Sequence, residues 1–283
     1  MPFETLISCE DAHDHVSDPD WAFVDSRFVL TDFALGERDY VAAHIPGATY
    51  AHLDRELSRH QVAGKTGRHP LPTQDELVAT LSRMGIGAHT QVVSYDANTG
   101  VMASRLWWLL RWAGHTKVAV LDGGMARWQQ LGFAVRSGVE SRAAAVFVPH
   151  FIDNMNVDLG MVDKLRQDPT FALFDVRAAD RYRGENEMID AVGGHIPGAK
   201  NLPFNIHLGA DGLHLTAAIL RDQFLTAEAG RTADHVVFSC GSGITAAHAA
   251  MLHLHAGLPM AKIYAGSFSE WIVDPARPVA TGQ

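Results

Sequence analysis

Cysteine is scarce in this chain: 283 residues carry two, Cys9 and Cys240. Two thiols over that length cannot build a disulfide framework, so a reduced, cytoplasmic setting is expected. Positive charge is also in short supply. Lys and Arg number 23 against 32 Asp and Glu, a formal net charge of −9, which argues against nucleic acid as the main partner. Long apolar runs are missing. The densest, Leu106–Leu110, is bracketed by Arg105 and Arg111 and falls far short of the ~18 residues that span a membrane. The start, Met1-Pro2-Phe3-Glu4 and then an acidic stretch from Cys9 to Asp20, lacks the basic head and apolar centre of a secretory leader. No metal is expected. His13/His15 and His253/His255 lack further ligands at metal-site intervals.

What is present is enough apolar material, 47% of the chain, for two buried cores, and the length suits two domains at roughly 100–200 residues each. The chain also repeats itself. His44-Ile45-Pro46-Gly47-Ala48 returns as His195-Ile196-Pro197-Gly198-Ala199. Asp25 and Arg27 precede the first copy as Asp175 and Arg177 precede the second. Val92–Asp96 matches Val236–Cys240, and Gly123-Gly124 with Trp128 matches Gly266-Ser267 with Trp271. The offsets run 151, 150, 144 and 143, so the order of elements is kept and only loops differ. A period this long marks a duplicated domain rather than a solenoid unit.

Within each copy short apolar runs alternate with helical spacing. Strands are expected at 92–95, 117–121, 171–175, 236–239 and 262–264, and helices at about 101–113, 124–131, 243–255 and 267–271. This alternation implies an α/β fold: two tandem domains, each a parallel sheet with helices on both faces. The expected divisions are 1–140, a linker over 141–155 and 156–283. Trp107, Trp108 and Trp112 are expected to pack a helix on the first sheet.

Chemistry concentrates at Cys240-Gly241-Ser242-Gly243-Ile244-Thr245, between a strand and a helix. Ligands of open parallel sheets bind at the carboxyl ends of strands. Gly241 and Gly243 allow a tight curl that turns amide N–H groups inward, and the helix adds its positive end. Both favour an anion at the Cys240 sulfur. The first copy has Asp96 at this position; a carboxylate cannot accept sulfur as a thiolate does, so that copy is expected to be inactive, with Asp96 capping nearby N–H groups. Cys9 has no such glycine loop, and no catalysis is expected there. A cysteine phosphatase would need an arginine closing the loop after five residues; Ala246 stands there.

The loop, the duplicated His-Ile-Pro-Gly-Ala and the paired glycine/tryptophan segments resemble the rhodanese-like sulfurtransferases over nearly the whole chain. Cys-Gly-Ser-Gly-Val-Thr is the mercaptopyruvate-type pattern, met here except at Ile244; thiosulfate-type members carry Cys-Arg-Lys-Gly-Val-Thr. The neutral Gly241-Ser242 pair suits a monoanionic α-keto acid better than a dianion. The resemblance implies a persulfide carried on Cys240, no metal or organic cofactor, a small sulfur-donor substrate, and a thiol or cyanide acceptor, with thioredoxin a common reductant. It places a substrate-binding arginine at Arg181, with Gly241, Gly243, Ile244 and Thr245 lining the donor. The second arginine of mercaptopyruvate-type members is missing from Glu185–Asp190, and Arg183 is the candidate to replace it. Arg177 is read as a salt-bridge partner of Asp175. The resemblance joins Ser242 to a histidine and an aspartate in a proton relay: His44 matches the histidine, and Asp32 and Asp39 both stand for the aspartate. His195 is read as fixing its turn. Alternatives are a thiosulfate:cyanide sulfurtransferase and a non-enzymatic persulfide carrier.

Overall fold

The computed structural model describes residues 2–283, which divide into two compact units. The first runs to Arg59, resumes over Leu71–Ile152 and takes in Ala210–His214; the second comprises His60–Pro70, Asp153–Gly209 and Leu215–Gln283. The main division, after Ile152, falls inside the expected linker. No local pattern in the sequence marks 60–70 as part of the second unit or 210–214 as part of the first.

The first unit holds strands β1 (Leu6–Ile7), β2 (Trp21–Asp25), β3 (Thr49–Tyr50), β4 (Gln91–Tyr95) and β5 (Val118–Leu121), and helices α1 (Cys9–His13), α2 (Leu35–Ala42), α3 (Gln74–Arg83), α4 (Ala103–Trp112) and α5 (Gly124–Gln130). Its strands pair in the order β1-β5-β4-β2-β3, all parallel. Every residue of β4 and β5 is buried, which requires cover on both faces of the sheet. Trp107 and Trp108 of α4 are wholly buried, and Trp112 is half-buried, stacked on Trp108.

The second unit holds α6 (Leu159–Leu165), β6 (Ala172–Asp175), α7 (Ala179–Arg183), β7 (Lys200–Asn201), α8 (Ala217–Glu228), β8 (Val236–Ser239), α9 (Ile244–His255), β9 (Lys262–Ile263) and α10 (Ser267–Trp271). Its parallel sheet runs β7-β6-β8-β9. Val162, Leu173, Ile196, Val237, Tyr264, Phe268 and Trp271 make its core. Among the described residues no helix is long and apolar enough to cross a membrane.

The duplication extends to single hydrogen bonds. In the first unit Arg27 donates to Asp25 through its backbone N–H and Nε (each 3.0 Å to Oδ1) and sends Nη2 to the Ala43 carbonyl at 2.6 Å. In the second, Arg177 makes the same bonds to Asp175 at 3.0 Å and reaches the Gly194 carbonyl at 2.6 Å. This is the salt bridge expected of Arg177. The guanidinium also lies 4.3 Å from the centroid of the Phe268 ring. Both arginines are anchors of the turn after the second sheet position, so neither is available as a mobile ligand. His44 and His195 also match: each places Nδ1 2.8 Å from a tyrosine carbonyl, Tyr40 or Tyr182, and stacks on that ring. Each also exchanges a pair of backbone hydrogen bonds with a later strand-like segment, at Arg136 or Ala280.

Candidate active site

The site follows from where strands end. β6 and β8 are neighbours, with Asp175 in register with Ser239. The arginine-rich segment after β6 and the cysteine loop after β8 therefore leave the sheet at the same edge, where ligands of parallel sheets sit. After Ser239 the chain curls through Cys240, Gly241 and Ser242 and enters α9 behind Gly243, whose φ is +83°. A side chain at 243 would be strained at that φ, and its Cβ would stand 2.4 Å from the Ala265 carbonyl oxygen, so only glycine permits the curl. The curl brings the Gly243 N–H to 3.1 Å from Cys240 Sγ. Ser267 holds the loop from behind: its Oγ accepts from the Cys240 N–H at 3.0 Å and donates to the Tyr264 carbonyl at 2.7 Å. That hydroxyl hydrogen is thus engaged, and the amide of Gly243 is the donor that faces the sulfur. The first turn of α9 supplies the positive end of a three-turn helix at the same point.

The first unit shows what such a loop holds when it lacks sulfur. Asp96 follows β4 as Cys240 follows β8. Its Oδ1 accepts from the N–H groups of Asn98 (3.0 Å) and Gly100 (2.9 Å), and its Oδ2 from Met102 (2.8 Å) and Ala103 (3.4 Å). Four amides converge on one carboxylate, so this strand-to-helix bend is an anion cradle filled by its own side chain. The capping role expected of Asp96 is what the geometry has.

Ser242 is 5% exposed, and its partner is His69: Nδ1 lies 2.7 Å from Ser242 Oγ. His44, expected in this place, is enclosed in the first unit at 0% exposure, with Nδ1 on Tyr40 and Nε2 3.8 Å from Glu140. Its match with His195 is the reason: the shared motif does one job in both copies, fixing a turn. Asp32 is exposed and paired with Arg38 at 2.6 Å, and Asp39 is exposed on α2.

Arg181 faces two acids. Its Nη2 donates to Glu187 at 2.9 Å and to Asp190 at 3.0 Å, and its Nε to Glu187 at 3.1 Å. Burial works against charge on Glu187, but bonds from Arg181 and from the N–H groups of Asp190 and Ile189 prevail and hold the carboxyl below its usual range. Arg183 turns away to Glu185, 2.6 Å from Nη2, so it does not fill the vacant place of a second arginine. Arg68 does approach: Nη1 donates to Asp190, and a Cβ on residue 241 would meet Arg68 Nη2 at 2.9 Å. The loop is neutral in sequence, yet two guanidinium groups flank Gly241 in space. Ile244 is buried and Thr245 half-buried in the first turn of α9.

Arg68 and His69 were not read from the sequence. They lie in the irregular stretch between β3 and α3, residues 51–73. Such a stretch exceeds the ~12–15 residues beyond which an irregular loop is usually functional. Length was the signal available.

The rhodanese-like domain profile matches twice, over residues 8–131 and 159–274. The chain is 43% identical over its full 283 residues to the full length of a probable 3-mercaptopyruvate sulfurtransferase of Pseudomonas aeruginosa. It is 37% identical to a putative thiosulfate sulfurtransferase of Mycobacterium tuberculosis, covering 87% of this chain and 86% of that one. The solved structure of 3-mercaptopyruvate sulfurtransferase from Leishmania major superposes with a TM-score of 0.84 at 30% identity, over 97% of this chain and 75% of that one. Two matched domains covering most of the residues, with full-length relatives of the same kind, place this chain in the rhodanese-like family.

Proposed function

We propose that the protein is a sulfurtransferase that takes sulfur from 3-mercaptopyruvate onto Cys240 and passes it to a thiol acceptor. The observation that carries the reading is the Gly243 N–H held 3.1 Å from Cys240 Sγ at the start of α9. It is supported by the anion seen in the matching loop of the first unit and by the relatives named above.

The reaction is nucleophilic. The Cys240 thiolate attacks the donor sulfur; a sulfur–sulfur bond forms and the donor carbon–sulfur bond breaks. The electron pair of that bond leaves with the carbon fragment as the enolate of pyruvate, which takes a proton. Ser242 and His69, 2.7 Å apart, are placed to deliver it, a histidine being suited to proton transfer near neutral pH. The loop amide and the helix end stabilise the persulfide anion. A thiolate acceptor then attacks the outer sulfur, carries it away as its own persulfide and returns Cys240 as thiolate. Thioredoxin or a small thiol serves as acceptor, in a reduced compartment, and the cycle needs no organic cofactor. Arg181 contributes to holding the donor carboxylate.

A second reading has thiosulfate as donor. The two guanidinium groups beside Gly241 favour it, since they supply positive charge that the loop sequence lacks. Rates with 3-mercaptopyruvate and thiosulfate, measured side by side with cyanide as acceptor, decide between them. The first reading expects a preference for 3-mercaptopyruvate; a clear preference for thiosulfate refutes it.

A further inference from the structure

A cavity of about 300 Å³ lies wholly within the first unit, lined by parts of α2 and β3, the end of α3 and residues 139–142. No residue of the cysteine loop borders it, nor does Arg68 or Arg181. From its lining we infer that this cavity is a binding site for a small aromatic carboxylate, separate from the site of sulfur transfer. The inference does not depend on which donor Cys240 uses.

The tyrosines of the lining have their polar ends already engaged. Tyr40 and Tyr50 stack with ring centroids 5.3 Å apart. Tyr50 Oη donates to the Arg27 carbonyl at 2.9 Å. Tyr40 Oη donates to the Ala48 carbonyl and accepts from the Glu140 N–H, each at 2.9 Å. What they offer the cavity is carbon, and Met84 and Val41 add to it. Aromatic and thioether surfaces suit a flat ring. The volume, at the lower end of the range for small-molecule pockets, suits one ring with short substituents.

The charges of the lining are unequally engaged. Glu37 pairs with Arg55 at 3.1 Å, Glu56 accepts from the His52 N–H at 2.9 Å, and Glu140 pairs with Arg136 at 3.2 Å. Arg83 has only the Thr80 hydroxyl, at 3.5 Å, and Arg142 only the carbonyls of Trp21 (2.7 Å) and Pro19 (3.0 Å). Among the described residues, then, each carboxylate of the cavity has a donor, while Arg83 and Arg142 meet no carboxylate. The surplus is positive, and a guanidinium takes a carboxylate in a two-pronged fork. Arg83 is exposed and the less engaged of the two, so it is the group placed to form that fork, with Arg142 adding charge. Thr49, on the edge strand β3, is 9% exposed, and its hydroxyl is buried without a partner among the described residues. A buried hydroxyl left unpaired is costly. A polar substituent on the ligand ring removes that cost.

The test is calorimetric titration of the full chain with 4-hydroxybenzoate, before and after Cys240 is blocked with iodoacetamide. Binding is expected in both forms, and 4-hydroxybenzamide, which lacks the charge, should bind about tenfold more weakly. Arg83→Ala is expected to weaken the acid about tenfold and leave the amide unchanged. Val41→Trp, which fills the cavity from α2, should abolish binding of both. Arg83 and Val41 are exposed, so both variants should keep the wild-type melting temperature and rate of persulfide formation. The inference is overturned if the wild type does not bind 4-hydroxybenzoate, if the acid and the amide bind equally, or if both folded variants keep the wild-type affinity. Binding that vanishes when Cys240 is blocked also overturns it, since the probe then occupies the sulfur-transfer site.

Discussion

Nδ1 of His69 and the hydroxyl of Ser242 stand 2.7 Å apart although 173 residues separate them in sequence. The pair is buried, at 4% and 5% exposure, so a proton passed between them would be shielded from bulk water. Ser242→Ala and His69→Asn are each expected to slow persulfide formation by about 10²-fold, the lower end for a positioned proton donor, while iodoacetamide still alkylates Cys240. Single-turnover pyruvate release measures the first, and intact mass the second. A His44→Asn variant, by contrast, should lose thermal stability and keep its rate per folded molecule.

That contrast marks what the sequence could carry. The Cys240 loop was legible because its determinants are local: a strand, two glycines and a helix within ten residues. The strands were foreshadowed by apolar runs, and the strand at 236–239 and helix at 267–271 fall where expected. Duplication helped with the fold, and the family pattern misled at His44. The repeated pentapeptide tied His44 to His195 and to a turn, yet the family pattern drew it towards Ser242. Arg68 and His69 were hidden because nothing in 60–70 is periodic, and their partners lie in another part of the chain. The guanidinium groups of Arg68 and Arg181 beside Gly241 were hidden for the same reason.

Asp96 gives a prediction about stability alone. Asp96→Ala leaves buried amides without an acceptor, which costs about 1–3 kcal/mol, or roughly 2–4 °C of melting temperature for each kcal/mol in a unit of this size. Thermal unfolding should record the drop. The rate per folded molecule should stay within twofold, since the chemistry is assigned to Cys240.

The two thiols should differ sharply. Cys9 is buried against the Asp122 and Gly124 carbonyls, and burial, with Glu10 nearby, pushes its thiol up to about 12. At neutral pH only Cys240 should react with iodoacetamide in the folded protein, with Cys9 following on denaturation. Peptide mapping after brief alkylation checks this. Early labelling of Cys9 would show that its burial is not kept in solution.

Glu187 sets an acid limit. Its carboxyl is held below the usual 4.5 in the folded protein, so folding is favoured while the group is ionised in both states. That contribution is complete above 4.5 and is lost as pH falls below it, through the lowered folded-state value. The melting-temperature advantage of the wild type over Glu187→Gln should therefore be steady above 4.5 and shrink on acidification below it. An advantage that grows on acidification would reverse the sign of the argument.

The central claim is a covalent one, and intact-mass measurement after incubation with 3-mercaptopyruvate tests it most directly. The account predicts a gain of one sulfur atom, removed by a thiol and absent from Cys240→Ser. No gain in the wild type, or an equal gain in Cys240→Ser, would contradict it.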